Sequence, residues 1–142
     1  MKEIGFLSIE INKLQMNLFK SMFSNRSEEK EATTSFVSWI PLTNIDQFQK
    51  LKETSKNETV LIFKHSTRCI ISRMVLKQFE KSFDGEGQNL NMYYLDLLNY
   101  RAISNEIASS FNVIHQSPQL LVIKNGVVVK HASHHDILGL VF

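Results

Sequence analysis

The chain carries a single cysteine, Cys69, in 142 residues. One thiol cannot close an intrachain disulfide, and metal sites built from several cysteines are excluded with it. Such usage fits a reducing compartment better than a secreted, disulfide-stapled scaffold, so the expected location is cytoplasmic. Excess charge is also scarce. The formal net charge is only +2, which makes no general case for nucleic-acid binding. No apolar run approaches the roughly 18–20 residues that span a bilayer, so no membrane span is expected. The amino-terminal stretch holds Ile4, Phe6, Leu7, Ile9 and Ile11, but Glu3, Glu10 and Lys13 interrupt it. It lacks the continuous apolar segment and small-residue cleavage site of a secretory signal. Internal repeats, low-complexity tracts, a glycine-rich phosphate loop and a Ser–His–Asp signature are all missing.

What is present divides near residue 35. Residues 1–35 read as an extension and linker, partly helical: Leu14, Leu18, Phe19, Met22 and Phe23 can share one helix face, and Ser24 to Ser35 is polar. Residues 36–142 read as one domain. Phe36 to Ile40 is a short strand ended by Pro41. Thr43 or Asn44 can cap a helix carrying Ile45, Phe48 and Leu51. Thr59 to Lys64 is a buried strand. A helix follows from Ile71 to Phe83, with Ile71, Met74, Val75, Phe79 and Phe83 on its inner side, and Asp84-Gly85-Glu86-Gly87 stops it. Met92 to Leu97 is a strand, and Ala102 to Phe111 a helix. Strand Gln119 to Ile123 turns at Asn125-Gly126, the strongest hairpin signal in the chain, into Val127 to His131. Asp136 can cap a last helix. The order βαβαβαββα implies an α/β fold, a mixed sheet with helices on both faces.

Cys69 stands where the buried strand gives way to the helix. A thiol there meets the partial positive charge of a helix N-terminus, which favours thiolate. No Asp or Glu occurs from Thr59 through Phe79, whereas Lys64, Arg68, Arg73 and Lys77 do. Arg68 adjoins the thiol and can stabilise its anion or hold a carboxylate. Ser72 lies about one helical turn on; it can donate a hydrogen bond to the thiolate but cannot resolve a mixed disulfide. His65 could tune the thiol, but a histidine at a strand end is more often a surface group. His115, His131, His134 and His135 match no standard zinc spacing, so no metal site is expected.

The element order resembles the thioredoxin fold, in which a reactive cysteine opens the helix after the central strand and a cis proline precedes the hairpin. Cys69 and Pro118 occupy those places. The segment Lys64-His65-Ser66-Thr67-Arg68-Cys69-Ile70-Ile71-Ser72, with Trp39-Ile40-Pro41-Leu42 and Ser117-Pro118-Gln119, is similar to the bacillithiol-system YtxJ family, the monothiol bacilliredoxins. Ile70 departs from that pattern, standing where proline is common. The resemblance covers residues 36–142. It implies thiol–disulfide exchange without a tightly bound cofactor: Cys69 removes bacillithiol from protein mixed disulfides, and a second thiol or a reductase regenerates it. Cys69, Ser72 and Arg68 form the implied catalytic set, and Thr67, Ile70, Ser117 and Pro118 the implied groove. Partners implied are bacillithiol and bacillithiol-modified client proteins. Two other readings stand beside this one: a redox-inactive module that holds clients in the Pro118 groove, and a stress sensor whose Cys69 is capped without turnover.

Overall fold

The computed structural model describes residues 37–85 and 88–142; the extension expected over residues 1–35 lies outside the described residues. Val60, Leu61, Ile62 and Phe63 form the middle of strand β2 (Thr59–His65) and are all fully buried. A strand this apolar has no polar face to show to water, so it must lie between two layers. It occupies the centre of a five-stranded sheet. The other strands are β1 (Ile40–Pro41), β3 (Leu90–Asp96), β4 (Gln119–Lys124) and β5 (Val127–Ser133), in the order β1-β3-β2-β4-β5. Strand β3 runs parallel to both β1 and β2, while β4 is antiparallel to β2 and β5 to β4. Parallel neighbours need crossovers. Helices α1 (Ile45–Thr54), α2 (Ile70–Ser82) and α3 (Arg101–Phe111) supply the helical connections between β1 and β4. The expected α/β, thioredoxin-like architecture is present.

Side chains alternate along β2 and so feed two cores. Val60 and Ile62 pack with Phe48 and Leu51 of α1 and with Ile103 and Ile107 of α3. Leu61 and Phe63 pack with Val75 and Phe79 of α2 and with Ile137. Trp39 closes this second layer: its indole N–H donates to Glu80 Oε1 at 2.7 Å, and its ring lies against Phe63, Phe79 and Tyr94.

Local chemistry sets the ends of the elements. Asn44 caps α1, its Oδ1 accepting the Gln47 N–H at 2.9 Å, while Gln47 Oε1 accepts the Asn44 N–H at 3.2 Å. Helix α3 ends at Asn112 in the left-handed region, φ 51°. Asn125 and Gly126 form the hairpin turn with φ 52° and 75°, the positive pair a two-residue turn needs.

Three elements differ from the sequence expectation. Strand β1 is only two residues long, because its pairing is confined to Tyr93 and Tyr94 of β3. The inner stripe of α2 is Ser72, Val75 and Phe79, whereas Ile71 and Met74 remain 47% and 50% exposed. Positions three and four apart make one narrow line on a helix, and Ile71 and Met74, the second and fifth residues of α2, fall on its flank. The last element is a 3₁₀ helix (His134–Gly139), and Asp136 lies inside it instead of capping it. Its anchor is Ile137, buried in the second core, whose carbonyl accepts the Leu140 N–H at 3.3 Å.

The capping box yields a direct prediction. Asn44→Ala should lower unfolding stability by about 1 kcal/mol in chemical denaturation, the usual worth of such a cap. Asn44→Asp should recover most of that loss, and equal losses in the two variants would show that the cap contributes nothing.

Candidate functional site

Strand β2 ends at His65, and the backbone turns at once. The Cys69 N–H donates to the Ser66 carbonyl at 3.1 Å, and the Cys69 carbonyl accepts the Arg73 N–H at 3.1 Å as the first bond of α2. Cys69 is therefore the N-cap, with extended backbone and no side-chain capping bond. The N–H groups of Ile70, Ile71 and Ser72 precede any helical acceptor, leaving donors open around an N-cap side chain. No acidic residue occupies the first turn to compete for them. The thiol is half-buried. Thr67 and Arg68 are exposed on one side of it, and Ile70, 65% exposed, lies on the other. Arg68, Arg73 and Lys77 are exposed and form no ion pair among the described residues.

Ser72 is fully buried. Its Oγ accepts the Ser66 N–H at 3.2 Å and lies 2.8 Å from His65 Nδ1. The hydroxyl expected to reach Cys69 is thus engaged with β2 and the turn after it. No hydrogen bond among the described residues joins it to the thiol. His65 is not the surface group its position suggested: it is 3% exposed, with its ring 5.5 Å from that of Tyr94. Burial holds the imidazole below its ordinary value of 6.5, Arg73 acts in the same direction, and Asp96, a hydrogen bond to the Ser72 main chain and Glu80 oppose it. The signal for His65 was the alternation of β2: it lies two residues beyond Phe63, so it shares the α2 layer.

The opposite wall comes from β4. Lys64 pairs with Gln119, so Ser117 and Pro118 enter the sheet beside the end of β2. The Ser117–Pro118 peptide is cis. The Pro118 carbonyl accepts the His134 N–H at 3.0 Å, and Ser117 Oγ is buried with no hydrogen-bond partner among the described residues. The register thus gathers the Cys69 turn, Ser72, Ser117 and Pro118 at one end of the sheet. Arg68 is carried there by the turn itself.

Lys64 does not belong to the basic surroundings of the thiol. It is fully buried on the opposite face of β2, where alternation sends it. Its Nζ donates to the Ser104 carbonyl at 3.2 Å and lies 3.3 Å from His115 Nδ1, which is also 3.1 Å from Ser104 Oγ. Burial lowers its pKa from 10.5 to about 8. His115 is likewise lowered, by burial first and then by the charges of Lys64 and Arg101. Among the described residues, no group of three or more His, Cys, Asp or Glu gathers into a metal-holding cluster, and no helix is long and apolar enough to cross a membrane.

The family described as "Monothiol bacilliredoxin BrxC" matches residues 40–139. A solved structure of a proposed oxidoreductase with a thioredoxin fold is similar to the chain at 37% identity and TM-score 0.61, covering 70% of this chain and 87% of its own. The thioredoxin of Malassezia sympodialis matches at 25% identity and TM-score 0.57, over 70% of this chain and 81% of its own. The thioredoxin of Schistosoma mansoni, at 22% identity and TM-score 0.56, covers 72% of this chain and 88% of its own and shares the fold.

The buried lysine makes stability depend on pH in a definite sense. Its folded pKa of about 8 lies below the ordinary 10.5. Between those values the unfolded chain binds the proton more tightly, so raising the pH favours the folded state. Across that window, unfolding stability of the wild type should rise relative to Lys64→Met. A difference that stays constant would show that Lys64 is not desolvated.

Proposed function

The chain belongs to the monothiol bacilliredoxin family, and from that premise we propose that it removes bacillithiol from protein mixed disulfides through Cys69. Family and fold carry the broader role of a thiol oxidoreductase. The observation that supports the finer reading is the placement of the chain's one cysteine. It stands half-buried at the N-cap of α2, among open N–H donors and exposed basic side chains.

In the exchange, the Cys69 thiolate attacks the bacillithiol sulfur of the mixed disulfide. The new Cys69–bacillithiol bond forms as the bond to the client sulfur breaks. The client sulfur leaves with the electron pair and takes a proton from water. The client is thereby reduced, and bacillithiol passes to Cys69. Ser72 carries no sulfur, so the chain has no thiol of its own to finish the cycle. A second low-molecular-weight thiol or a reductase must supply the two electrons that release bacillithiol.

The surrounding residues divide the remaining work. The open N–H groups at the start of α2 stabilise negative charge on sulfur. Arg68 offers a planar pair of donors to a carboxylate of the small thiol. Thr67, Ile70, Ser117 and Pro118 border the groove, and the Ser117 main chain can pair with an extended client segment. The exposed side chains of Ile70, Ile71 and Met74 give the client an apolar surface beside the thiol. The cytoplasm, where thiols stay reduced, suits this chemistry.

A bacillithiol-modified protein is the substrate for the test. Wild type should release reduced client and gain the mass of one bacillithiol at Cys69. Cys69→Ser should lose both while keeping the fold. Release by that variant would refute the proposal. Capping of Cys69 without client release would mark a sensor, and client binding that survives Cys69→Ser without exchange would mark a binding module.

A further inference from the structure

We propose that the outward face of α2 is a docking surface for client proteins, and that the client segment it takes is acidic, with an apolar anchor beside the modified cysteine. This rests on the reading of Cys69 as the exchanging thiol and names the class of client that thiol serves.

The layout of that face follows from the buried stripe. Ser72, Val75 and Phe79 turn one side of α2 to the sheet, so the opposite side meets solvent with rows of residues four apart. One row starts with Ile70 and Met74, 65% and 50% exposed, and Ile71 lies beside them at 47%. The next row is Arg73, Lys77 and Lys81, all exposed. The apolar side chains thus cluster next to the Cys69 N-cap, and the cations run on from them along the helix.

The stability of the helix does not account for these side chains. Three large apolar residues exposed together forgo the benefit of burial. Like charges four apart disfavour a helix, and Arg73–Lys77 and Lys77–Lys81 are two such pairs. Neither these three cations nor Arg68 forms an ion pair among the described residues. Glu80 is the one acid of α2, and its Oε1 is occupied by the Trp39 indole N–H at 2.7 Å. From Ser66 to Ser82 the chain carries four basic residues and one acidic residue, an excess greater than the +2 of the whole chain. The excess positive charge of the protein is therefore gathered on this turn and helix.

A partner that fits this face must cover the apolar cluster and pair the cations at once. A small anion pairs a cation but leaves Ile70, Ile71 and Met74 in water. A protein segment with an apolar side chain and nearby carboxylates satisfies both. Its dimensions follow from helix geometry: from Cys69 to Lys81 the helix rises about 18 Å, the reach of about five extended residues. The client's carboxylates therefore lie within that distance of its modified cysteine. Each exposed ion pair is weak by itself, so the row of cations acts collectively. It speeds capture of an acidic client in a manner that salt suppresses, while the apolar anchor slows departure.

Single-turnover release from synthetic peptides by the full chain tests this. Each peptide carries one cysteine as its mixed disulfide with bacillithiol, an isoleucine beside it, and glutamates, glutamines or lysines at the same positions within that reach. The glutamate peptide should be released about tenfold faster than the lysine peptide at low ionic strength, with the glutamine peptide between them. That ratio should fall toward one at about 1 M salt. Serine in place of the peptide isoleucine should slow release of the glutamate peptide severalfold, and an unchanged rate would overturn the apolar anchor. In the double variant Lys77→Glu, Lys81→Glu the order of the glutamate and lysine peptides should reverse. Equal rates for the three peptides with wild type would overturn the docking surface and leave the exchange chemistry standing. A glutamate preference that persists in the double variant and is lost in Arg68→Gln would put the carboxylate contact at the turn, and so overturn a docking face on α2. No release from any peptide would overturn the reading of Cys69 and the docking surface with it.

Discussion

The burial of β2 on both faces and both edges is the constraint from which the site follows. Its edges are satisfied by β3 and β4, and its faces by α1 and α3 on one side and α2 on the other. A shift of one residue would exchange Phe63 with Lys64 and send an ammonium into the aromatic layer under Trp39. Register is strongly specified wherever a face is buried, and here both are. The chain must therefore leave the sheet at one point, and Cys69 starts α2 four residues later. The pairing of Lys64 with Gln119 brings Pro118 to the same end.

The last two residues of β2 are polar and buried, and each needs partners because an unpaired polar group in a core is costly. They find them in different layers. Lys64 reaches Ser104 of α3 and His115, and so ties β2 to the segment that leads into Ser117 and Pro118. His65 reaches Ser72, and so ties β2 to the first turn of the helix that carries the thiol. Both borders of the site are thereby fastened to the same strand by side chains. In the position where a dithiol protein would hold its second sulfur, Ser72 acts as part of that fastening, with its hydroxyl linked to the turn that presents Cys69.

Much of this was legible in order of residues. The continuous apolar run of β2, the Asn-Gly turn, the Asn44 cap and the junction at Cys69 all depend on neighbours a few residues away. Each appeared where its local chemistry required. The α2 stripe was harder to place. Ile71 and Met74 are apolar and suitably spaced, but which line of a helix is covered depends on where the sheet lies, and here it lies under Ser72, Val75 and Phe79. The final helix was misjudged in kind for a similar reason: the single deeply buried side chain Ile137 holds one short 3₁₀ segment against the second core.

The sequence by itself determined the class of fold, the one available thiol and its place at the start of a helix. Backbone propensity, side-chain alternation and a count of sulfurs are local or additive properties. Only the tertiary structure decided that His65 is buried, that Lys64 lies in the layer away from the thiol, and that the Ser72 hydroxyl engages an imidazole. A polar side chain's partner is set by which elements meet across the sheet, and no spacing along the chain encodes that meeting.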